Sequence, residues 1–268
     1  MTKAAVDIGA TYTRYIIENT EEKTIKTKDI KIVNFLNNLI ETYNINTIAI
    51  SFAGYVYNTT IIDSPNINIK NINLKEAIGK KDTEIILEND LNCAALAESK
   101  YFNSKNIAAI YSGSGLGCGA VVNNHLLKGD KGISCELGHI SFKKAPFVCG
   151  CGKNDCIELF ASGSGLKKWI EYYHIHGFKL NEIEKEKPII VENFIEALSF
   201  AISIVINMLN PQLVVLGGGI IQSNSFIVKR LKEKVKQLTI KPLSNTPIEL
   251  SKLKNGSLEG ARILAGMV

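Results

Sequence analysis

The chain has 268 residues, 46% of them hydrophobic and 21% charged, with 31 Lys+Arg against 26 Asp+Glu and a net charge of +5. That apolar content and near balance of charge exclude a disordered chain, and the length suits one large domain or two lobes of roughly 100–150 residues, each able to bury a core. The most apolar stretch, Phe194 to Ile221, is broken by Glu196, Asn207 and Asn210-Pro211, so no membrane span is expected, and with only Arg14, Arg230 and Arg262 among scattered lysines no nucleic-acid surface is expected either.

Lys3 to Ile8 reads as a strand ending in Asp7-Ile8-Gly9-Ala10-Thr11, and Tyr12 to Ile17 as a second. No apolar leader precedes Val6-Asp7, which predicts a cytoplasmic location. Alternation continues from Thr24 to Ile32, Val33 to Tyr43 has helical spacing, and Thr47 to Phe52 is a buried-type strand. Ile85 to Leu87 is a strand that runs into Glu88-Asn89-Asp90, followed by a helix from Leu91 to about Tyr101. The pattern then restarts. Ile107 to Tyr111 is a strand, Gly113 to Gly119 a glycine-dense turn, and Ala120 to Asn123 a strand again. A loop-rich insert spans Phe142 to Asp155, and Asn193 to Leu209, apolar nearly all round, predicts a buried helix. Leu213 to Leu216 is a strand closed by Gly217-Gly218-Gly219, and helices follow at about Ser225–Leu238, with its lysines on a solvated face, and Leu258–Ala265. Strand, glycine turn, strand thus occurs twice, about 106 residues apart. This predicts two α/β lobes, residues 1–105 and 106–268, with a cleft between them and the last helix packing back on the first lobe.

Besides the cysteines, four places can carry chemistry. In the first turn Gly9 lets the backbone approach an anion, Thr11 adds a hydroxyl and Asp7 suits a metal-bound phosphate, although a plain hairpin has the same pattern. In the second, glycines at alternate positions favour close approach to a ligand over packing. Gly115 to Ala120 fits a loose dinucleotide fingerprint, but Val121-Val122 continues a strand where that motif needs a helix. Gly217 to Gly219 is either a ligand-facing helix start or a tight strand–helix turn. Asp90 follows a strand and opens a helix, where a carboxylate serves as N-cap or as general base.

Six cysteines divide unevenly. Cys93, Cys118 and Cys135 stand apart as core residues, whereas Cys149, Cys151 and Cys156 crowd together near His139. Three thiolates and an imidazole close a tetrahedral zinc site, with free thiols as the alternative. Glu136 and Glu158 flank this cluster and suit either charge-assisted hydrogen bonds to a polyol or a plain surface role. His125, His174 and His176 have no such neighbours.

Asp7-Ile-Gly-Ala-Thr11, Glu88-Asn-Asp-Leu-Asn-Cys-Ala-Ala-Leu96, Gly113-Ser-Gly-Leu-Gly117, Glu136-Leu-Gly-His139, Cys149-Gly-Cys-Gly-x3-Cys156-Ile-Glu158 and Leu216-Gly-Gly-Gly-Ile220, in that order, resemble the ROK family of sugar kinases and repressors. The resemblance covers residues 7 to about 266. It implies a two-lobed, actin-like, hexokinase-type ATPase fold with an inter-lobe cleft and a zinc knuckle, acting on ATP, Mg²⁺ and a hexose or amino-hexose. It further implies that Asp7, through water to magnesium, with Gly9, Ala10 and Thr11, and Gly113, Ser114 and Gly115 hold the phosphates, and Gly217, Gly218 and Gly219 the adenosine. Asp90 matches the family's base, and Asn89, Glu136, His139 and Glu158, with the Gly54 backbone, match its sugar-holding groups. His139 would ligate zinc with Cys149, Cys151 and Cys156 through one ring nitrogen and hold the sugar through the other. A homodimer is the family expectation.

Within the resemblance, a 6-kinase for glucose or a broad set of hexoses is the first expectation. N-acetylmannosamine kinase is the close alternative and a non-catalytic sugar sensor or repressor the distant one. The family's repressors carry a helix-turn-helix ahead of the first phosphate motif; with that motif starting at Asp7, no such domain and no DNA binding are expected. Ala10 and Cys118 replace common glycines, and Ile67 to Ile72, after Ser64-Pro65-Asn66, lacks the usual Gly-Trp, which leaves the sugar specificity open.

Overall fold

Two five-stranded sheets carry the fold, one in each of two units; the computed structural model describes residues 1–64, 66–80, 82–177 and 179–268, so Pro65 lies outside the described residues. The first unit comprises Met1–Phe102, Leu126–Ser134 and Leu253–Val268, and the second Asn103–His125 and Cys135–Lys252.

The first unit begins with β1 (Thr2–Ile8), β2 (Tyr12–Ile17) and β3 (Lys23–Lys26), then α1 (Ile32–Tyr43) and β4 (Ile45–Phe52). A small antiparallel sheet of β5 (Tyr55–Tyr57), β6 (Thr60–Ser64) and β7 (Ile69–Asn73) leads through α2 (Leu74–Ala77) to β8 (Glu84–Asn89) and α3 (Asp90–Tyr101). The main sheet runs β3-β2-β1-β4-β8, with β1, β4 and β8 parallel and the hairpin strands antiparallel. Strand residues alternate between the two faces of a sheet. Val6 and Ile50 therefore pack in one core with Leu36 and Ile40 of α1, while Ala5 and Ala49, paired in register, point to the other face. One alternation further along that second face stand Asp7, Ser51 and Glu88, in register across three parallel strands.

The extended run expected to reach Ile32 stops at Lys26, and Thr27–Asp29 forms a single 3₁₀ turn. The cause is local: Thr27 Oγ1 donates to Gly9 O at 2.7 Å and lies 3.0 Å from Thr13 Oγ1, drawing the chain back over the first turn. The small sheet was not expected. Its turns use asparagines in the left-handed region (Asn58 φ +52°, Asn68 φ +55°) in place of the usual glycine signals, and Asn71, inside β7, takes the same conformation (φ +54°).

The second unit repeats the plan. β9 (Ile107–Ser112) and β10 (Leu116–Val122) form an antiparallel hairpin, and β11 (His125–Leu126) lies at the sheet edge. Short α4 (Glu158–Ala161), then α5 (Gly163–Tyr173), α6 (Leu180–Glu186) and α7 (Pro188–Leu209) precede β12 (Leu213–Gly217). α8 (Gly219–Ser223), α9 (Val228–Leu238) and β13 (Ile248–Leu250) complete the order β11-β10-β9-β12-β13. The glycine turn is shorter than expected: Gly113 N donates to Gly115 O at 2.9 Å, and Gly117 and Gly119 are already strand residues opposite Tyr111 and Ala109. Pairing with β9 satisfies their backbone groups.

α7 starts at Pro188 rather than near Asn193, because proline at a helix start sacrifices no hydrogen bond. By length and hydropathy it could cross a bilayer, but Val191, Phe194, Leu198 and Ile202 are fully buried in the core of this unit. α9 buries Leu231 and Val235 and turns its lysines outward. Cys93 and Cys118 are buried as expected; Cys135 is only half-buried and takes a left-handed φ of +60°.

α10 (Gly256–Leu264) belongs to the first unit and packs on α3 and on the alanine face of β1 and β4. The approach is close: a Cβ on Gly260 would lie 2.0 Å from Cys93 O of α3. Gly260→Ala is therefore expected to cost about 1–3 kcal/mol or more in stability by overpacking, measured by urea unfolding against wild type. Unfolding at the wild-type midpoint would mean that the two helices can part freely.

Candidate functional site

Asp7, Glu88 and Asp90 gather at the carboxyl ends of the parallel strands of the first unit, where open α/β sheets place their ligands. Asp7 is 5% exposed; it accepts from Ser51 Oγ at 2.9 Å and Asn255 Nδ2 at 3.4 Å, and Arg14 lies 3.6 Å away. Burial pushes its carboxyl above the usual range against the pull of Ser51 and Arg14. Burial, and then the negative charge of Asp7, push the Asp90 carboxyl up to about 7.

The residue that caps α3 is Asn89, not Asp90. Its Oδ1 accepts from Leu91 N at 2.9 Å and Asn92 N at 3.2 Å. Its Nδ2 donates to Gly54 O and Asp90 Oδ1, both at 3.1 Å, which brings Gly54, Asn89 and Asp90 together. The N-terminal turn of α3 also favours charge on Asp90, whose Oδ1 accepts from Leu91 N at 3.0 Å. Ala10 and Thr11 are exposed at the β1–β2 turn, held open by Gly9 N donating to Tyr12 O at 3.1 Å. Two contributors escaped the sequence reading. Asn255 caps α10 and reaches Asp7, and Ser257 Oγ donates to Asp90 O at 3.2 Å; an Asn-Gly pair ahead of an apolar helix was the available signal.

In the second unit three glycine turns converge. Gly113 O accepts from Gly163 N at 2.8 Å and Ser114 O from Ser164 N at 3.0 Å, so the start of α5 docks on the β9–β10 turn. Gly217 and Gly218 lie against Tyr111 and Ser112, where any side chain would collide. Ser162-Gly-Ser-Gly165, missed in the sequence, echoes Gly113-Ser-Gly115. Ser162 caps α5 by accepting from Gly165 N at 3.1 Å.

The same unit holds the Cys/His cluster. One donor atom from each of His139, Cys149, Cys151 and Cys156 lies within 4.8 Å of all the others. His139 turns Nδ1 toward Cys149 Sγ at 3.6 Å and Nε2 toward Glu136 Oε2 at 3.8 Å. The loop is laced by Cys149 N to Lys153 O and Phe142 N to Asp155 O, both 2.7 Å. Burial raises the Cys149 thiol; for Cys151 burial is outweighed by the Lys153 N–H and neighbouring thiols, which lower it. Three soft thiols and one imidazole fit a closed zinc site. Glu158 stands beside it: Oε1 is 3.6 Å from Cys149 Sγ, and Oε2 accepts from Leu116 N at 3.0 Å.

A model of the ROK family matches residues 3–267. The chain is 28% identical to a xylose repressor of Bacillus subtilis over 271 aligned positions, 90% of this chain and 70% of the repressor. It is 32% identical to a glucokinase of Streptomyces coelicolor over 181 positions, 61% of this chain and 57% of that enzyme. A ROK hexokinase from Thermus thermophilus superposes with a TM-score of 0.84 at 20% identity, covering 100% of this chain and 98% of the other. The fold is thus the mixed α/β, actin-like ATPase fold of ROK sugar kinases.

Metal analysis of the purified protein is expected to give about one zinc per chain, and Cys151→Ser to lower both zinc content and Tm. Full metal occupancy in that variant would remove Cys151 from the site. Asp90 also makes stability depend on pH. Its folded value of about 7 lies above the ordinary 3.8, so the folded state holds the proton more tightly and this contribution fades as pH rises from about 4 through 7. Asp90→Asn is expected to gain in Tm over wild type between pH 5 and pH 8; a constant difference would contradict the raised value.

Proposed function

The chain belongs to the ROK family, and on that premise we propose that it is an ATP-dependent kinase transferring a phosphoryl group to the 6-hydroxyl of glucose or a broad set of hexoses. The observation that carries the reading is Asp90. Its carboxyl is lifted to about 7 and steered by Asn89, which suits a general base at neutral pH. In the proposed reaction the hydroxyl oxygen attacks the γ-phosphorus as its proton passes to Asp90; the bond to the bridging oxygen breaks and ADP leaves. Glu136, His139, Glu158 and Asn89, with the Gly54 backbone, are assigned to the other sugar hydroxyls. The main-chain amides of Gly9–Thr11 and Gly113–Gly115 are assigned to the phosphates, and Gly217–Gly219 to the adenosine. Magnesium, when bound, would neutralise phosphate charge, with Asp7 as its water-mediated partner. Zinc, when bound by Cys149, Cys151, Cys156 and His139 Nδ1, would fix the ring so that Nε2 stays free for the sugar.

The likeness to a xylose repressor supports a second reading, a sugar-binding protein without turnover. Initial rates with ATP, Mg²⁺ and glucose, mannose, fructose, glucosamine and N-acetylmannosamine separate the two. Turnover of a neutral hexose is expected; a strong preference for N-acetylmannosamine would move the substrate, and no turnover with any sugar would favour the second reading. Asp90→Asn should lower kcat by about 10²–10⁴ while sugar binding by calorimetry is retained. Substantial residual kcat would remove Asp90 from the role of base.

A further inference from the structure

Leu126–Ser134 belongs to the first unit although the chain on either side of it belongs to the second. The segment is seated tightly. Gly132 takes a φ of +72°, and a Cβ there would stand 2.6 Å from Val56 O of β5. Ser134 Oγ closes the segment by donating to Leu127 O. The purpose of such a fit is visible at Lys128, whose Nζ pairs with Glu88 Oε2. The Glu88 side chain is only 5% exposed, while that of Lys128 is 52% exposed, so a half-solvated ammonium reaches in to a buried carboxylate.

The other oxygen of Glu88 is also engaged. Oε1 accepts from Asn89 N at 3.0 Å and from Asn92 Nδ2 at 2.9 Å. Those two residues bracket Asp90 in the chain, and Asn89 is the cap that donates to Asp90 Oδ1. The path from Lys128 to the base is therefore one ion pair and two hydrogen bonds long. Glu88 also shares a sheet face with Asp7, across Ser51, so its charge must be offset beside a second carboxylate. Arg14 performs that service for Asp7.

We propose that Lys128 is a positioning residue for phosphoryl transfer: by pairing with Glu88 it fixes Asn89 and Asn92 and so aims the Asp90 carboxylate. This rests on the kinase reading above. Lys128 touches no reacting group, so its loss should appear in kcat and spare substrate binding.

The test is a mutant cycle of Lys128→Met, Lys128→Arg, Glu88→Gln and the double Lys128→Met/Glu88→Gln, assayed for kcat and KM with the preferred sugar and for thermal unfolding. Lys128→Met is expected to lose about 10–100-fold in kcat with the sugar KM within about threefold, as for a group acting only on the transition state. Lys128→Arg should stay within about threefold of wild type. The double variant should be no slower than Lys128→Met, because removing both charges leaves no unpaired carboxylate. If Lys128→Met fails to fold, the double variant is compared with Glu88→Gln alone, where equal kcat is expected. Single effects that simply multiply, a Lys128→Met enzyme within twofold of wild type, or a loss confined to KM would each overturn the proposal. An inactive wild type would sink the kinase reading and this role with it; an active wild type with an equally active Lys128→Met would sink this role alone.

Discussion

Removing three carboxylates from water at one end of one sheet is the constraint around which the first unit is arranged. Asp7 and Glu88 are nearly fully buried and stand in register on the same face of the parallel ladder, with Asp90 just beyond. An isolated buried carboxylate is expensive enough to give up its charge, so each needs an answer in hydrogen bonds or opposite charge. Asp7 is answered by Ser51, Asn255 and Arg14, and Glu88 by Asn92, the Asn89 N–H and Lys128. Among the described residues no ion pair reaches Asp90. It accepts from the Leu91 N–H and the Asn89 amide, and its carboxyl rises to about 7.

The same face explains the helix packing. Ala5 and Ala49 precede Asp7 and Ser51 by one alternation, and their short side chains let α10 lie close to the sheet. Only with that closeness can Asn255 and Ser257, at the start of α10, reach Asp7 and the backbone of Asp90. Gly260 against Cys93 serves the same end, since a wider helix pair would lift the α10 N-terminus away from the acids.

What the sequence made legible was whatever depends on near neighbours. The parallel strands declared themselves by apolar runs, the two hairpins by their turns, and the Cys/His cluster by three cysteines within eight residues. The small sheet at Tyr55–Asn73 was hidden because Asn58 and Asn68 take left-handed turns normally announced by glycine. The capping role fell to Asn89 instead of Asp90 because Asn89 is the last residue with extended backbone, and only extended geometry lets a side chain reach back to the helix amides. Asn255 and the Ser162–Gly165 turn had local signals as helix caps, but their partners Asp7 and Gly113–Ser114, like the Glu88 partner of Lys128, lie far away in sequence, and no local pattern encodes such a meeting.

The cluster in the second unit obeys the same logic of answered polar groups. His139 has two ring nitrogens, and a ring with one of them engaged has its direction set for the other. With Nδ1 facing Cys149 and Nε2 facing Glu136, the orientation is fixed by the thiol side and expressed on the carboxylate side. Glu158 is held in parallel fashion, one oxygen on Leu116 N of β10 and the other near Cys149. The knuckle and the first strand hairpin of that unit are thereby tied through a single side chain. A change that loosens the thiols should therefore disturb Glu158 as well as His139, even though Glu158 donates nothing to the cluster itself.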